Sequence, residues 1–166
     1  MKFLLSLLLT VAIIPQPKAV EEKKGAFLLD GKTAVVARSG AFAETAADFR
    51  ADMALSTGFN LPARRSWFGK AIILKHKADI PEEGYILRVT RRKVVIKASD
   101  AAGAFYGLQT FRQLLPGAIY AKEPVDTVWE APCCRIEDAP RVGWRGMQLD
   151  AAAISIPSRR CWTSWI

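Results

Sequence analysis

Apolar positions recur along this chain with three spacings, and the changes between them mark its parts. From Phe3 to Ile14 the apolar run is broken only by Ser6 and Thr10, and Lys2 stands ahead of it. A positive start before an apolar run of about 12 residues has the form of a secretory leader; a membrane-crossing helix needs about 20. Pro15 and Pro17 end the run, and small residues near Ala19 offer a cut site. Residues 1–19 are therefore read as a signal peptide, the alternative being an uncleaved anchor. The mature chain is read as exported, periplasmic or extracellular, with no stable membrane span once the leader is removed.

The spacing then shortens. Ala26 to Asp30 and Thr33 to Ala37 are brief apolar runs on either side of Asp30-Gly31, a pair that signals a tight turn between strands. Ala41 to Thr57 takes the helical period. Phe42, Ala46, Phe49 and Met53 fall on one face, with Ser39 as a cap and Gly58 at the exit. Leu61 to Gly69 reads as a loop. Ala71 to Leu74 is a β-type run, and His76, the chain's single histidine, stands at its end.

Alternation returns at Tyr85 to Thr90, with Tyr85, Leu87 and Val89 on one face, and at Val94 to Ala98. The two runs form a hairpin through Arg91-Arg92-Lys93, a turn without Gly or Asn. Ser99-Asp100 caps a second helix over Ala101 to Leu115, whose buried face is Ala104, Phe105, Leu108, Phe111 and Leu115. Gly103 and Gly107 lie inside the helical pattern. They mark close packing on a neighbour, because a phosphate-binding loop needs its glycines ahead of the helix. Pro116-Gly117 stops the helix. Ala118 to Pro132 is a connection, and Cys133 to Ile136 one more strand. The fold class is α+β: a mostly antiparallel sheet with two helices on one face.

Composition narrows the function more than the fold. The net charge is +8, yet the cations are scattered as pairs and one triplet, Arg91-Arg92-Lys93. That scatter argues against a nucleic-acid partner, which calls for a basic stripe. Cys133, Cys134 and Cys161 are odd in number and two are adjacent, so they form no disulfide framework. One histidine and no zinc-type cysteine spacing leave no metal site, and no cofactor is expected. Trp129, Trp144, Trp162 and Trp165 invite sugar stacking, although Trp144 is read as packing at a domain junction, and Tyr106 as supporting the sheet.

Three motifs in order resemble glycoside hydrolase family 20, the β-N-acetylhexosaminidases. Glu83-Gly84-Tyr85 on the hairpin and Phe105-Tyr106-Gly107-Leu108-Gln109-Thr110 on the helix are similar to that family's non-catalytic N-terminal domain. Ile136-Glu137-Asp138-Ala139-Pro140-Arg141, followed by Trp144-Arg145-Gly146-Met147 and Leu149-Asp150, resembles the family's approach to its catalytic (β/α)8 barrel. The resemblance divides the chain into a signal peptide (1–19), an α+β domain (20–138), the orphan first strand of the barrel (139–150) and an aberrant tail (151–166).

The resemblance also implies chemistry. The family hydrolyses terminal N-acetylhexosamine with retention, the substrate's own acetamido group acting as nucleophile. An adjacent Asp-Glu pair orients that group and supplies the general acid. No Asp-Glu dipeptide occurs here; Glu137-Asp138 has the reverse order and reads as a solvated turn before Pro140. No catalytic residue is therefore assigned. The resemblance gives Arg145 the role of binding hydroxyls of the terminal sugar in the full-length parent. The chain alone is expected to be inactive, its partners being N-acetylhexosamine glycans met through that parent. The alternative is a secreted carbohydrate-binding or scaffold module. A frameshift after about Ala152 accounts for the tail. Read one base earlier, the codons for Ala153 to Ser158 can encode Arg-His-Phe-His-Ser-Lys, a family-like stretch.

Overall fold

Alternating side chains become a sheet here because two helices cover one of its faces. The structure is a computed structural model that describes residues 12–63 and 69–146. Among these the order is β1 (Ala19–Leu28), β2 (Ala34–Ala37), α1 (Ala43–Thr57), β3 (Ala71–His76), β4 (Tyr85–Val89), β5 (Lys93–Ala98), α2 (Ala101–Gln113) and β6 (Glu130–Asp138). Short 3-10 turns occupy Gly40–Phe42 and Gly117–Tyr120. The six strands form one sheet in the order β1-β6-β4-β5-β3-β2. The pairings β1/β6, β6/β4 and β4/β5 are antiparallel, whereas β5/β3 and β3/β2 are parallel. The class is α+β, as the patterning predicts.

The inward-facing residues behave as their periods require. Leu87, Val89, Val94 and Ile96 are fully buried and share one core with Phe42, Phe49 and Met53 of the first helical segment and Leu108 and Phe111 of α2. Burying each such side chain contributes about 1.5–3 kcal/mol. Both helices therefore lie on the same face. On the opposite face Ala34, Ala71 and Ile73 form a small second cluster, with Val36 packed against it.

The β4–β5 turn shows how a hairpin closes without Gly or Asn. The Thr90 amide donates to the Lys93 carbonyl at 2.9 Å. The Lys93 amide donates to the Thr90 hydroxyl at 3.1 Å, and that hydroxyl donates to the Lys93 carbonyl at 2.8 Å. A side chain thus supplies what a left-handed backbone would otherwise supply.

Several expectations need correction. Asp30-Gly31 does make a turn between two strands, with the Thr33 amide donating to the Asp30 carbonyl at 2.9 Å, although those strands do not pair with each other. The strands on either side of it sit at opposite edges of the sheet. Gly31 lacks the positive φ that a tight hairpin turn requires. The loop is held by the Asp30 carboxylate, which accepts from Lys70 Nζ at 2.8 Å and from the Lys32 amide at 3.0 Å. Ser39 makes no side-chain capping bond, because a 3-10 turn intervenes before α1. Gly58 does end α1, in the left-handed region at φ 67.

The last strand starts earlier than Cys133 and includes Pro132. β4 pairs with β6 only from Cys134 onward, so the missing proline amide falls where β6 has a neighbour on one side alone. Residues 144–146 are not in a strand, and 147–166, with the rest of the expected barrel strand and the tail, lie outside the described residues.

Candidate functional site: a groove between the second helix and the sheet exit

The loop before β4 and the start of α2 are built on one another. Asp100 is extended and caps the helix, its Oδ1 accepting the Gly103 amide at 2.7 Å. Its Oδ2 accepts the Glu83 amide at 2.6 Å and the Ser99 hydroxyl at 3.1 Å. Glu83 has φ 56, a left-handed conformation uncommon for a residue with a Cβ. One carboxylate therefore starts the helix and pins a strained turn. Burial pushes the Asp100 carboxyl up, but the bonds from Gly103, Glu83 and Ser99 together hold it below its ordinary value of 3.8.

Asp100→Ala is expected to destabilise the domain by about 2 kcal/mol, about 1 for the cap and the remainder for the charge-assisted bond to Glu83. The lowered pKa sets the pH dependence. Above 3.8 the carboxylate is ionised in both folded and unfolded chains and its contribution is complete. As pH falls through 3.8 and then through the lower folded value, that contribution is lost. Urea titrations of chain and variant should therefore differ at pH 7 and converge in strong acid; a gap that stays constant down to about pH 2 would refute the assignment.

The strained turn aims Glu83 at the C-terminal segment. Arg145 Nη2 donates to Glu83 Oε2, and the guanidinium lies 5.7 Å from the centre of the Tyr106 ring. The Glu83 bond raises the Arg145 pKa. Tyr85 points inward, its hydroxyl 2.6 Å from the Thr110 hydroxyl. Burial pushes that phenol up to about 12, with the Thr110 bond opposing the rise and the Asp138 charge adding to it.

Between these groups lies a groove of about 620 Å³, lined among others by Glu83, Tyr106, Gln109, Asp138, Arg141 and Arg145. Residues 13–16 run along it. A glycosidase acid needs a carboxyl whose pKa is raised. Asp30, Asp79 and Asp100 all lie below their ordinary value. Glu83 is bound to Arg145, and Asp138 Oδ1 accepts the Lys18 amide at 3.2 Å. Among the described residues no group of three metal-ligating side chains comes together.

The predicted residues are dispersed. Arg145 reaches the groove, whereas Trp144 is 87% exposed, and the barrel side of its expected junction lies outside the described residues. Trp129 is 2% exposed and belongs to the core, so it is no stacking platform. Phe105, assigned to the buried face of α2, is 47% exposed, and Tyr106 beside it lines the groove and does not support the sheet. Glu137-Asp138 is the end of β6 and not a turn. His76 ends β3 on the surface. Cys133 and Cys134 are free and buried, and burial raises both thiols, that of Cys134 to about 12 with Cys133 and Glu22 adding. Sequence reasoning missed Glu83 as a strained position and Gln113, Asp138 and Arg141 as groove residues. The Glu-Gly-Tyr motif pointed to the turn, but nothing local foretold the other three.

Comparison with known proteins places this arrangement. A family model described as glycosyl hydrolase family 20, domain 2, matches residues 10–139. A β-hexosaminidase of Porphyromonas gingivalis is 36% identical over 84% of this chain and 18% of its own length. A β-N-acetylhexosaminidase of Cellulomonas fimi is 30% identical over 86% of this chain and 29% of its own. Among solved structures, the family 20 β-N-acetylhexosaminidase of Streptomyces coelicolor A3(2) superposes with a TM-score of 0.76 and 32% identity, covering 82% of this chain and 28% of that one. The family 20 exo-β-N-acetylglucosaminidase of Vibrio harveyi, solved with N-acetylglucosamine, gives 0.70 at 29% identity, covering 84% of this chain and 21% of that one. The chain thus spans less than a third of the length of each of these relatives.

Proposed function

The chain belongs to glycosyl hydrolase family 20, and from that premise we propose that it is the non-catalytic N-terminal part of an exported β-N-acetylhexosaminidase. The observation that carries this is the shared sheet-and-two-helix domain, superposing on the Streptomyces coelicolor enzyme over 82% of this chain but only 28% of that one. The parent removes terminal N-acetylhexosamine residues by the substrate-assisted, retaining route. No Asp-Glu dipeptide occurs in this sequence, so the acid and the acetamido-orienting carboxylate are contributed by another part of the parent. In that parent Arg145 leaves Glu83 and Tyr106 and offers its fixed guanidinium donors to hydroxyls of the terminal sugar. Export is supported by Lys2 and the apolar run from Phe3 to Ile14.

The purified chain is expected to release chromophore from a chromogenic N-acetylglucosaminide no faster than buffer does. Turnover that disappears with Arg145→Ala would place catalysis in this chain and refute the proposal. A second reading, a carbohydrate-binding module, is favoured by the groove, where a Tyr106 ring lies beside charged hydrogen-bonding groups. Saturable micromolar glycan binding by the isolated chain would establish it. Sequencing the DNA downstream of Ala152 tests the frameshift: the idea fails if no frame continues a barrel.

A further inference from the structure

Residues 13–18 are held in a way their position in the sequence does not suggest. Ile13 is 9% exposed and joins the main core, and Pro17 is also buried. Between and beyond these anchors, side chains of the domain grip the main chain at every second residue. The Ile14 amide donates to Gln113 Oε1 at 3.0 Å, and Gln113 Nε2 donates back to the Ile14 carbonyl at 3.0 Å. Arg141 Nη2 donates to the Gln16 carbonyl at 3.3 Å. The Lys18 amide donates to Asp138 Oδ1. Pro15 and Pro17 have no amide proton to satisfy. The side chains of Ile14, Gln16 and Lys18 are exposed. Two apolar anchors four residues apart, with main-chain bonds at alternate positions, make up the chemistry by which a groove recognises an extended peptide.

We propose that the groove between α2 and the exit of β6 is a peptide seat whose resident is this chain's own segment 13–18. The segment stays with the folded domain, so a leader is cut ahead of Ile13 and not near Ala19. A cut near Ala19 would empty the Ile13 and Pro17 seats and remove the main-chain partners of Gln113, Arg141 and Asp138. The cut position rests on the proposed export; the seat itself does not.

Two measurements test this. The full precursor, expressed with its native leader in a secreting host, is analysed by intact mass. A first residue at or before Ile13 is expected, and a first residue at Ala19 or Val20 overturns the cut position. Retention of Met1 would overturn the cut and leave the seat to the second measurement. There, chains beginning at Ala12 and at Ala19 are melted side by side. The shorter chain is expected to melt at least about 5 °C lower. A synthetic peptide of residues 13–18 should bind it saturably and restore the difference, whereas the same peptide with serine for Ile13 should bind at least tenfold more weakly. Equal melting temperatures with no peptide binding overturn the seat. Should the shorter chain not fold, Gln113→Leu in the longer chain decides. Faster proteolysis within residues 13–18 is expected, and an unchanged cleavage rate overturns the proposal.

Discussion

Phe111→Ala is expected to destabilise the domain by about 4 kcal/mol, within the 3–5 kcal/mol seen when a fully buried phenylalanine is truncated. Phe111 is fully buried and touches two other elements through its ring alone. Phe27 of β1 meets it edge-on, ring centres 6.1 Å apart at 73°, and Phe49 of α1 lies at 6.4 Å. Removing it opens a cavity at the point where α2, α1 and β1 converge, and rigid strands on one side limit how far the space can collapse. The neighbour Phe105 is the control. It is 47% exposed, so Phe105→Ala should stay within about 0.5 kcal/mol. Urea denaturation of both variants measures the contrast. Similar losses for the two would show that α2 is rotated from its described position.

That contrast also shows what the sequence could and could not tell. Periodicity placed Phe42, Ala46, Phe49 and Met53 on a buried face, and alternation placed Tyr85, Leu87 and Val89 inward; burial agrees at every one of these positions. Periodicity also put Phe105 with Leu108 and Phe111, which was wrong. The buried stripe of α2 is Gly103, Ala104, Gly107, Leu108, Thr110 and Phe111. It is centred on the smallest residues, because they permit the nearest approach to the sheet. A hydrophobic count weights the stripe toward the bulkiest residue instead. Asp30-Gly31 does turn the chain between two strands, but the sequence did not show that those strands stay apart, for a different reason. A turn dipeptide fixes a local change of direction, whereas which strands pair is decided by contacts a hundred residues away. Of the groove, the sequence disclosed Arg145 and the Glu-Gly-Tyr turn. The remaining contacts join residues 99 to 125 positions apart and leave no local pattern.

Gly103→Ala is expected to cost about 3 kcal/mol, against the intrinsic preference of a helix. Alanine in a helix interior is favoured over glycine by about 1 kcal/mol. Here a Cβ would sit 2.3 Å from the Gly84 carbonyl oxygen and 3.0 Å from the Glu83 carbonyl carbon. Both are backbone atoms, and the Glu83 backbone is already pinned by Asp100. Neither can rotate away, so the helix must lift from the turn, at the upper end of the 1–3 kcal/mol typical of overpacking. Gly107 faces a similar limit, its Cβ falling 2.7 Å from Ile96 Cγ2, but a side-chain methyl can shift. Gly103→Ala should therefore exceed Gly107→Ala in chemical denaturation. Stabilisation by Gly103→Ala would mean that the turn is not pinned.

The order of the strands bears on when the domain can exist at all. Among the described residues β6 is the last strand to be synthesised, yet it lies between β1 and β4, and its register sets Ala19 opposite Glu137. Until Asp138 has left the ribosome, β1 has no partner and β4 presents an open edge beside a finished hairpin. The nascent chain can form β4, β5 and α2 from neighbouring residues, but the sheet waits for a closure that spans nearly the whole domain, a slow kind of contact. Under the proposed export, a sheet that cannot close before β6 arrives leaves β1 unpaired while the chain is threaded through a translocation channel.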